Sequence, residues 1–98
     1  MRVVLHTVNA SPASRAFAEC LRLVAPGDSI LLLGDGVYAA ITGTEARTQL
    51  EATDADLHVL EQDAAAAGIL DQLSGVAALD MAGFVALSER CPRQLAWF

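Results

Sequence analysis

One short apolar run near the middle of the chain constrains the fold more than any other feature. Residues 30–34 (ILLLG) are apolar almost throughout, and Asp35-Gly36 ends the run. This pattern is typical of a strand buried on both faces of a parallel sheet, because half-exposed strands alternate apolar and polar residues. Ligands bind at the carboxyl ends of strands in open α/β sheets, so Asp35, Gly36 and Tyr38 are the first candidate site residues.

Strand-like and helix-like segments alternate through the rest of the chain. The other predicted strands cover residues 2–8, 57–60, 76–79 and, at the end, 94–98. Helices are predicted from a Ser11 cap, over residues 44–52 with a Thr44 cap, over residues 64–67 behind an Asp63 cap, and from an Asp80 cap to a stop before Pro92. Such alternation favours crossover connections and a parallel sheet. We therefore predict one α/β domain over residues 1–98, a small three-layer sandwich with a mostly parallel four- to five-stranded sheet.

Composition and charge narrow the class of function. The net charge is −6, and the six basic residues are all arginines that form no cluster, so direct contact with nucleic acid is not expected. Hydrophobic residues make up 54% of a small chain, which points to subunit interfaces. No stretch has the length of a membrane span. The two cysteines make no disulfide framework, which favours a cytoplasmic protein with reduced thiols.

Several catalytic and cofactor motifs are missing from the sequence. It contains no G-x-G-x-x-G, no P-loop and no C-x-x-C. His6 and His58 lie far apart in sequence, without the spacing of a metal-binding pair. The sequence therefore predicts neither a cofactor nor a metal.

Cys20 is the candidate nucleophile. As a thiolate it would accept sulfur and form a persulfide; as a structural residue it would pack as a small hydrophobe on the buried face of the first helix. Its position beyond the first turn favours the structural interpretation, because a helix dipole lowers a thiol pKa only near the helix start.

Two further groups each allow two interpretations. His6-Thr7 and Asp35-Gly36 follow or end neighbouring strands, so they either line a shared cleft or only fix the turns through local hydrogen bonds. The terminal pair Trp97-Phe98 either packs on its own sheet or anchors a partner as an interface hot spot.

Three blocks of the sequence together resemble the TusB/DsrH family of sulfur-relay subunits. They are Leu5-His6-Thr7 with Ser11-Pro12 behind it, residues 31–40 (LLLGDGVYAA) and residues 92–98 (PRQLAWF). The resemblance implies a cytoplasmic subunit of a heterohexamer with TusC/DsrF-like and TusD/DsrE-like partners, and no cofactor. The Tus form serves 2-thiolation of the wobble uridine of transfer RNA, and the Dsr form serves dissimilatory sulfur oxidation. The main sulfur-carrying cysteine belongs to the TusD/DsrE-type subunit.

The resemblance leaves three hypotheses. The first is an assembly subunit of a persulfide relay, without independent activity, that serves 2-thiouridine formation. The second makes Cys20 itself a persulfide carrier, since DsrH-type members have a cysteine at the matching place in their first helix. The third is a small-ligand-binding module that uses the cleft by His6, Thr7 and Asp35.

Overall fold

A single parallel sheet runs through the computed structural model, which describes residues 3–98. The strands are β1 (Val4–Val8), β2 (Ser29–Leu32), β3 (Asp56–Leu60), β4 (Ala77–Leu79) and β5 (Arg93–Trp97), in the order β4-β3-β2-β1-β5. The α-helices are α1 (Arg15–Leu23), α2 (Glu45–Glu51), α3 (Glu61–Ala66) and α4 (Met81–Arg90), and two 3₁₀ helices cover Gly34–Ala40 and Leu70–Gln72. The predicted α/β fold is confirmed, with the carboxyl-terminal segment as its fifth strand.

The strand order determines which helix covers which face of the sheet. The chain moves from β1 to β4 in one direction, so right-handed crossovers place α1, α2 and α3 on the same face. Ile30 packs on that face in one hydrophobic cluster with Phe17 and Leu50. The return from β4 to β5 takes α4 across the opposite face, where Leu31 packs with Leu87. The central strand is therefore buried on both faces, as its sequence predicts.

The start of the first helix differs from the prediction. Ser14, and not Ser11, caps α1, because the Ser14 Oγ accepts a hydrogen bond from the Phe17 N–H at 3.2 Å. The Ser11 Oγ instead accepts from the Ala13 N–H in the turn before the helix. A second serine downstream of Ser11-Pro12 thus moves the helix start to Arg15.

Other boundaries are also corrected. The central strand ends at Leu32, since Gly34 has a positive φ of 54° and begins a 3₁₀ helix. Asp63 is not a cap: α3 begins at Glu61, and the Asp63 carboxylate accepts from the Gly34 N–H at 2.8 Å. β1 begins at Val4, and Arg2 lies outside the described residues.

Two predicted helix caps are confirmed. The Thr44 side chain accepts from the Arg47 N–H at the start of α2, and the Asp80 carboxylate accepts from the Gly83 N–H at the start of α4. Within residues 3–98, none of the helices has the length and apolar character needed to cross a membrane.

Candidate functional site

His6 lies inside the protein, at a junction of three separate segments. Its side chain is only 1% exposed. The ring Nε2 is 3.1 Å from the Asp28 Oδ2, and the Trp97 indole Nε1 is 3.2 Å from the ring Nδ1. The two rings stack with an interplanar angle of 21°. Of the two interpretations of His6, lining a shared cleft therefore does not fit, because Asp28 and Trp97 enclose the ring.

Asp28 is the anion of this junction. Burial alone would raise the pKa of Asp28, but hydrogen bonds from the Ala25 and Val4 N–H groups and from His6 outweigh burial and lower it. Asp28 is thus ionised at neutral pH and accepts from the His6 Nε2–H. The indole N–H of Trp97 can only donate, so the Nδ1 of His6 must accept. This donor and acceptor pattern assigns the neutral Nε2–H tautomer to His6.

Asp35 and Tyr38 share a small hollow at the carboxyl ends of β2 and β3. The hollow has a volume of about 240 Å³ and is also lined by Gly34 and Asp63. Asp35 is exposed and Tyr38 is 43% exposed. The hollow can take a small polar group, but its two carboxylates disfavour an anion.

Thr7 and Gly36 lie outside this hollow. Thr7 pairs with Leu31 and Ala96 within the sheet and is half-buried. Gly36 is buried, and a side chain there would collide with the Val8 carbonyl oxygen. Gly36 therefore allows close packing of the 3₁₀ helix on β1. The structure does not bring His6, Thr7 and Asp35 together.

Sequence reasoning missed a larger groove between α1 and α2. It has a volume of about 630 Å³, and its lining residues come from three segments distant in sequence. They include Pro12, Phe17, Leu21, Tyr38, Ala46 and Gln49. No local motif marks such a groove, because only the packing of α1 beside α2 creates it. Tyr38 borders both the groove and the hollow.

Cys20 points into the core from the inner face of α1. It is 1% exposed and packs in the same cluster as Phe17. Burial raises the pKa of Cys20 from 9.0 to about 12, so the side chain is a neutral thiol at physiological pH. Sulfur transfer needs an accessible thiolate, and Cys20 has neither property in this conformation. Cys91 is likewise 3% exposed, at the end of α4.

The two terminal aromatic residues have different environments. Trp97 is half-buried and packs against the core of its own sheet. Phe98 is 84% exposed. Of the two candidates for a partner anchor, Phe98 is thus the one whose side chain is free to bind another surface.

Arg47 is another buried polar residue, and no local sequence signal singles it out. Its side chain is 6% exposed, its Nη1 donates to the Ala40 carbonyl at 2.7 Å, and its Nη2 donates to the Ser74 carbonyl. The Glu51 carboxylate lies 3.7 Å from its Nε. Arg47 therefore joins the end of the first 3₁₀ helix to the loop before β4.

The described part of the chain, residues 3–98, contains no group of three or more His, Cys, Asp or Glu residues arranged to hold a metal ion.

Comparison with known proteins gives full-length relatives. Residues 10–94 match a family model described as DsrH like protein. The curated Protein TusB of Sodalis glossinidius (strain morsitans) is 41% identical over 95 residues, 96% of this chain and 100% of that protein. Protein TusB of Escherichia coli (strain K12) is 38% identical, with the same two shares. Protein TusB of Pectobacterium parmentieri is 41% identical over the same length.

The fold itself is similar to a solved structure. The crystal structure of the ychN protein from E. coli superposes with a TM-score of 0.75, covering 99% of this chain and 100% of that chain. Only 16% of the aligned residues are identical, so this likeness concerns the fold alone.

Proposed function

This chain belongs to the TusB/DsrH family of sulfur-relay subunits, and on that premise we propose that it is an assembly subunit of a cytoplasmic persulfide relay. Its partners are TusC/DsrF-like and TusD/DsrE-like subunits in a heterohexamer. The relay serves 2-thiouridine formation at the wobble position of transfer RNA. The curated relatives named TusB favour this role over sulfur oxidation.

The burial of Cys20 is the observation that carries the assembly role. A persulfide carrier must expose its sulfur to a donor and then to an acceptor. The inward orientation of Cys20 and its raised pKa oppose both steps. The sulfur therefore passes through a cysteine of another subunit, and this chain contributes surface.

Exposed apolar side chains support a role in assembly. Met81 and Val85 are 51% and 52% exposed, and their spacing of four residues places them on the same side of α4. Leu23, at the end of α1, is 61% exposed. Large apolar residues in such positions are suited to contacts between subunits.

The test is co-expression with the two partner-type subunits, followed by native mass spectrometry of the purified complex. We expect a complex that contains all three chains and that loses transfer RNA thiolation when this chain is omitted. The thiolation is measured by retardation of the tRNA in mercury-containing gels. A purified chain that stays monomeric in the presence of both partners would overturn the proposal.

A second arm separates the assembly role from the carrier role. The complex is incubated with a persulfide donor, with Cys20→Ala as the variant and Cys91→Ala as the matched control for loss of a buried thiol. We expect thiolation to persist in both variants. A persulfide adduct on Cys20, together with activity lost only in Cys20→Ala, would instead make this chain a carrier.

A further inference from the structure

We propose that His6 is a proton-sensitive latch that fastens the carboxyl-terminal strand β5 to the interior of the protein. The latch consists of Asp28, His6 and Trp97, and it goes beyond the proposed relay function because it concerns this chain alone. Asp28 is 22 residues from His6 in sequence, and Trp97 is 91 residues from it. The three side chains therefore join the amino-terminal strand, the turn before β2 and the last strand.

The hydrogen bonds of the latch allow one protonation state. Asp28 also accepts from the Val4 and Ala25 N–H groups, at 3.1 and 2.9 Å, so its carboxylate is held in place as an acceptor. The Asp28 carboxylate can only accept a hydrogen bond from His6 if the Nε2 of His6 carries a proton. The other ring nitrogen is then the acceptor for the Trp97 indole, a group that can only donate.

A second proton on His6 breaks the hydrogen bond to Trp97 and keeps the hydrogen bond to Asp28. The proton binds Nδ1, which turns that nitrogen into a donor that faces the indole N–H at 3.2 Å. Two donors at this distance repel each other. The imidazolium still donates from Nε2 to the Asp28 carboxylate, and the opposite charges strengthen that bond. Protonation therefore releases Trp97 selectively, while His6 stays bound to Asp28.

Asp28 is the charged group that contacts the His6 ring. In the strands beside His6, Ile30 and Leu95 are its register partners and carry no charge. Cys20, on the inner face of α1, is a neutral thiol. The charged residues of the packed elements are exposed to solvent: Arg15, Glu19 and Arg22 on α1, Arg93 on β5, and Glu89 and Arg90 on α4.

The released segment lies at one edge of the sheet. β5 is an edge strand whose residues are exposed except for Trp97, which is half-buried. Beyond the ladder to β1, the Asn9 N–H donates to the Trp97 carbonyl at 2.9 Å. The Trp97 side chain is thus the main interior anchor of β5, and its release frees the strand end that carries Phe98.

The test uses the single tryptophan of the chain as a reporter. With ¹⁵N-tryptophan in this chain alone, the indole N–H of Trp97 gives one NMR signal, in the isolated full chain or in a complex with unlabelled partners. When the pH is lowered from 8 to 5, we expect this signal to shift together with the ring signals of His6. We also expect its hydrogen exchange, corrected for the intrinsic pH effect, to accelerate at least about tenfold.

Two variants and one wild-type measurement decide the result. His6→Gln cannot titrate and should abolish the shift, whereas His58→Gln, the matched control at the other histidine, should leave it unchanged. A signal that stays constant in the wild type, or that shifts equally in His6→Gln, would overturn the latch. If His6→Gln does not fold, the ¹⁵N shifts of the wild-type ring decide alone: a proton on Nδ1 at pH 8 contradicts the proposal, and a proton on Nε2 with a coupled indole shift supports it.

Discussion

Replacing Arg47 should destabilise the protein far more than replacing any exposed arginine. The guanidinium donates to two carbonyl groups, of Ala40 and Ser74, that belong to different segments. The bond to the Ala40 carbonyl is buried and the Arg47 side chain is 6% exposed, so solvent cannot replace that bond after substitution. Arg47→Leu therefore leaves the Ala40 and Ser74 carbonyl groups without their donor and removes the contact between the 3₁₀ helix and the loop before β4.

The size of the effect follows from these two bonds. A hydrogen bond to a charged group contributes about 1.5–3 kcal/mol. Two such bonds give roughly 3–6 kcal/mol, and the apolar area that leucine buries reduces the net loss to about 3 kcal/mol. A domain of this size loses roughly 4–8 °C of Tm per kcal/mol. Arg47→Leu should thus lower Tm by roughly 12–24 °C, and Arg47→Lys by about half as much, because an ammonium group does not form the two-carbonyl fork.

Urea denaturation followed by circular dichroism measures the loss of free energy. The matched control is Arg15→Leu, since the Arg15 side chain is 91% exposed and pairs with the exposed Glu19. The control should lose no more than about 0.5 kcal/mol, the value of a surface pair on a helix. Equal losses in Arg47→Leu and Arg15→Leu would refute the reasoning, and so would an Arg47→Lys variant as stable as the wild type.

Three other predictions follow from the site. Folding raises the pKa of Cys20 from 9.0 to about 12, so the neutral thiol contributes stability below pH 9, and this contribution is lost as the pH rises toward 12. The midpoint of urea denaturation should therefore fall between pH 9 and pH 12, and it should fall less in Cys20→Ala. The pKa of Asp28 is lowered on folding, so its carboxylate contributes to folding stability above about pH 4, and this contribution is lost in acid. In thermal melts at a series of pH values, Asp28→Asn should therefore lose less stability in acid than the wild type. Because the Phe98 ring is 84% exposed, Phe98→Ala should leave Tm within about 3 °C of the wild type. The same variant should weaken partner binding measured by calorimetry, and an unchanged affinity would show that Phe98 does not contribute to the interface.

The sheet was predictable because its signals are local. The apolar run at residues 30–34 and the caps at Thr44 and Asp80 act over a few residues, and the structure has strands and helices where they predict them. Errors arose where two local signals compete. Ser11-Pro12 and Ser14 both suit a helix start, and the hydrogen bond to the Phe17 N–H decides for Ser14.

The polar interior was not predictable in the same way, because its partners are distant in sequence. Asp28 follows Pro26-Gly27 and has the sequence context of a turn residue, yet its carboxylate binds His6 of the neighbouring strand β1. Arg47 lies in a helical segment where an arginine usually faces solvent. Nothing within a few residues of either position indicates that its partner comes from another element.

The same interior polar contacts support the proposed assembly role. His6, Asp28 and Arg47 direct their functional groups to partners within the chain, and the thiol of Cys20 is buried. Large apolar side chains such as Met81 are exposed at the surface, and they suit contacts between subunits. If a complex of the three relay subunits showed Cys20 exposed and turned toward a partner thiol, binding would have to open α1 against the core, and the carrier role would replace the assembly role.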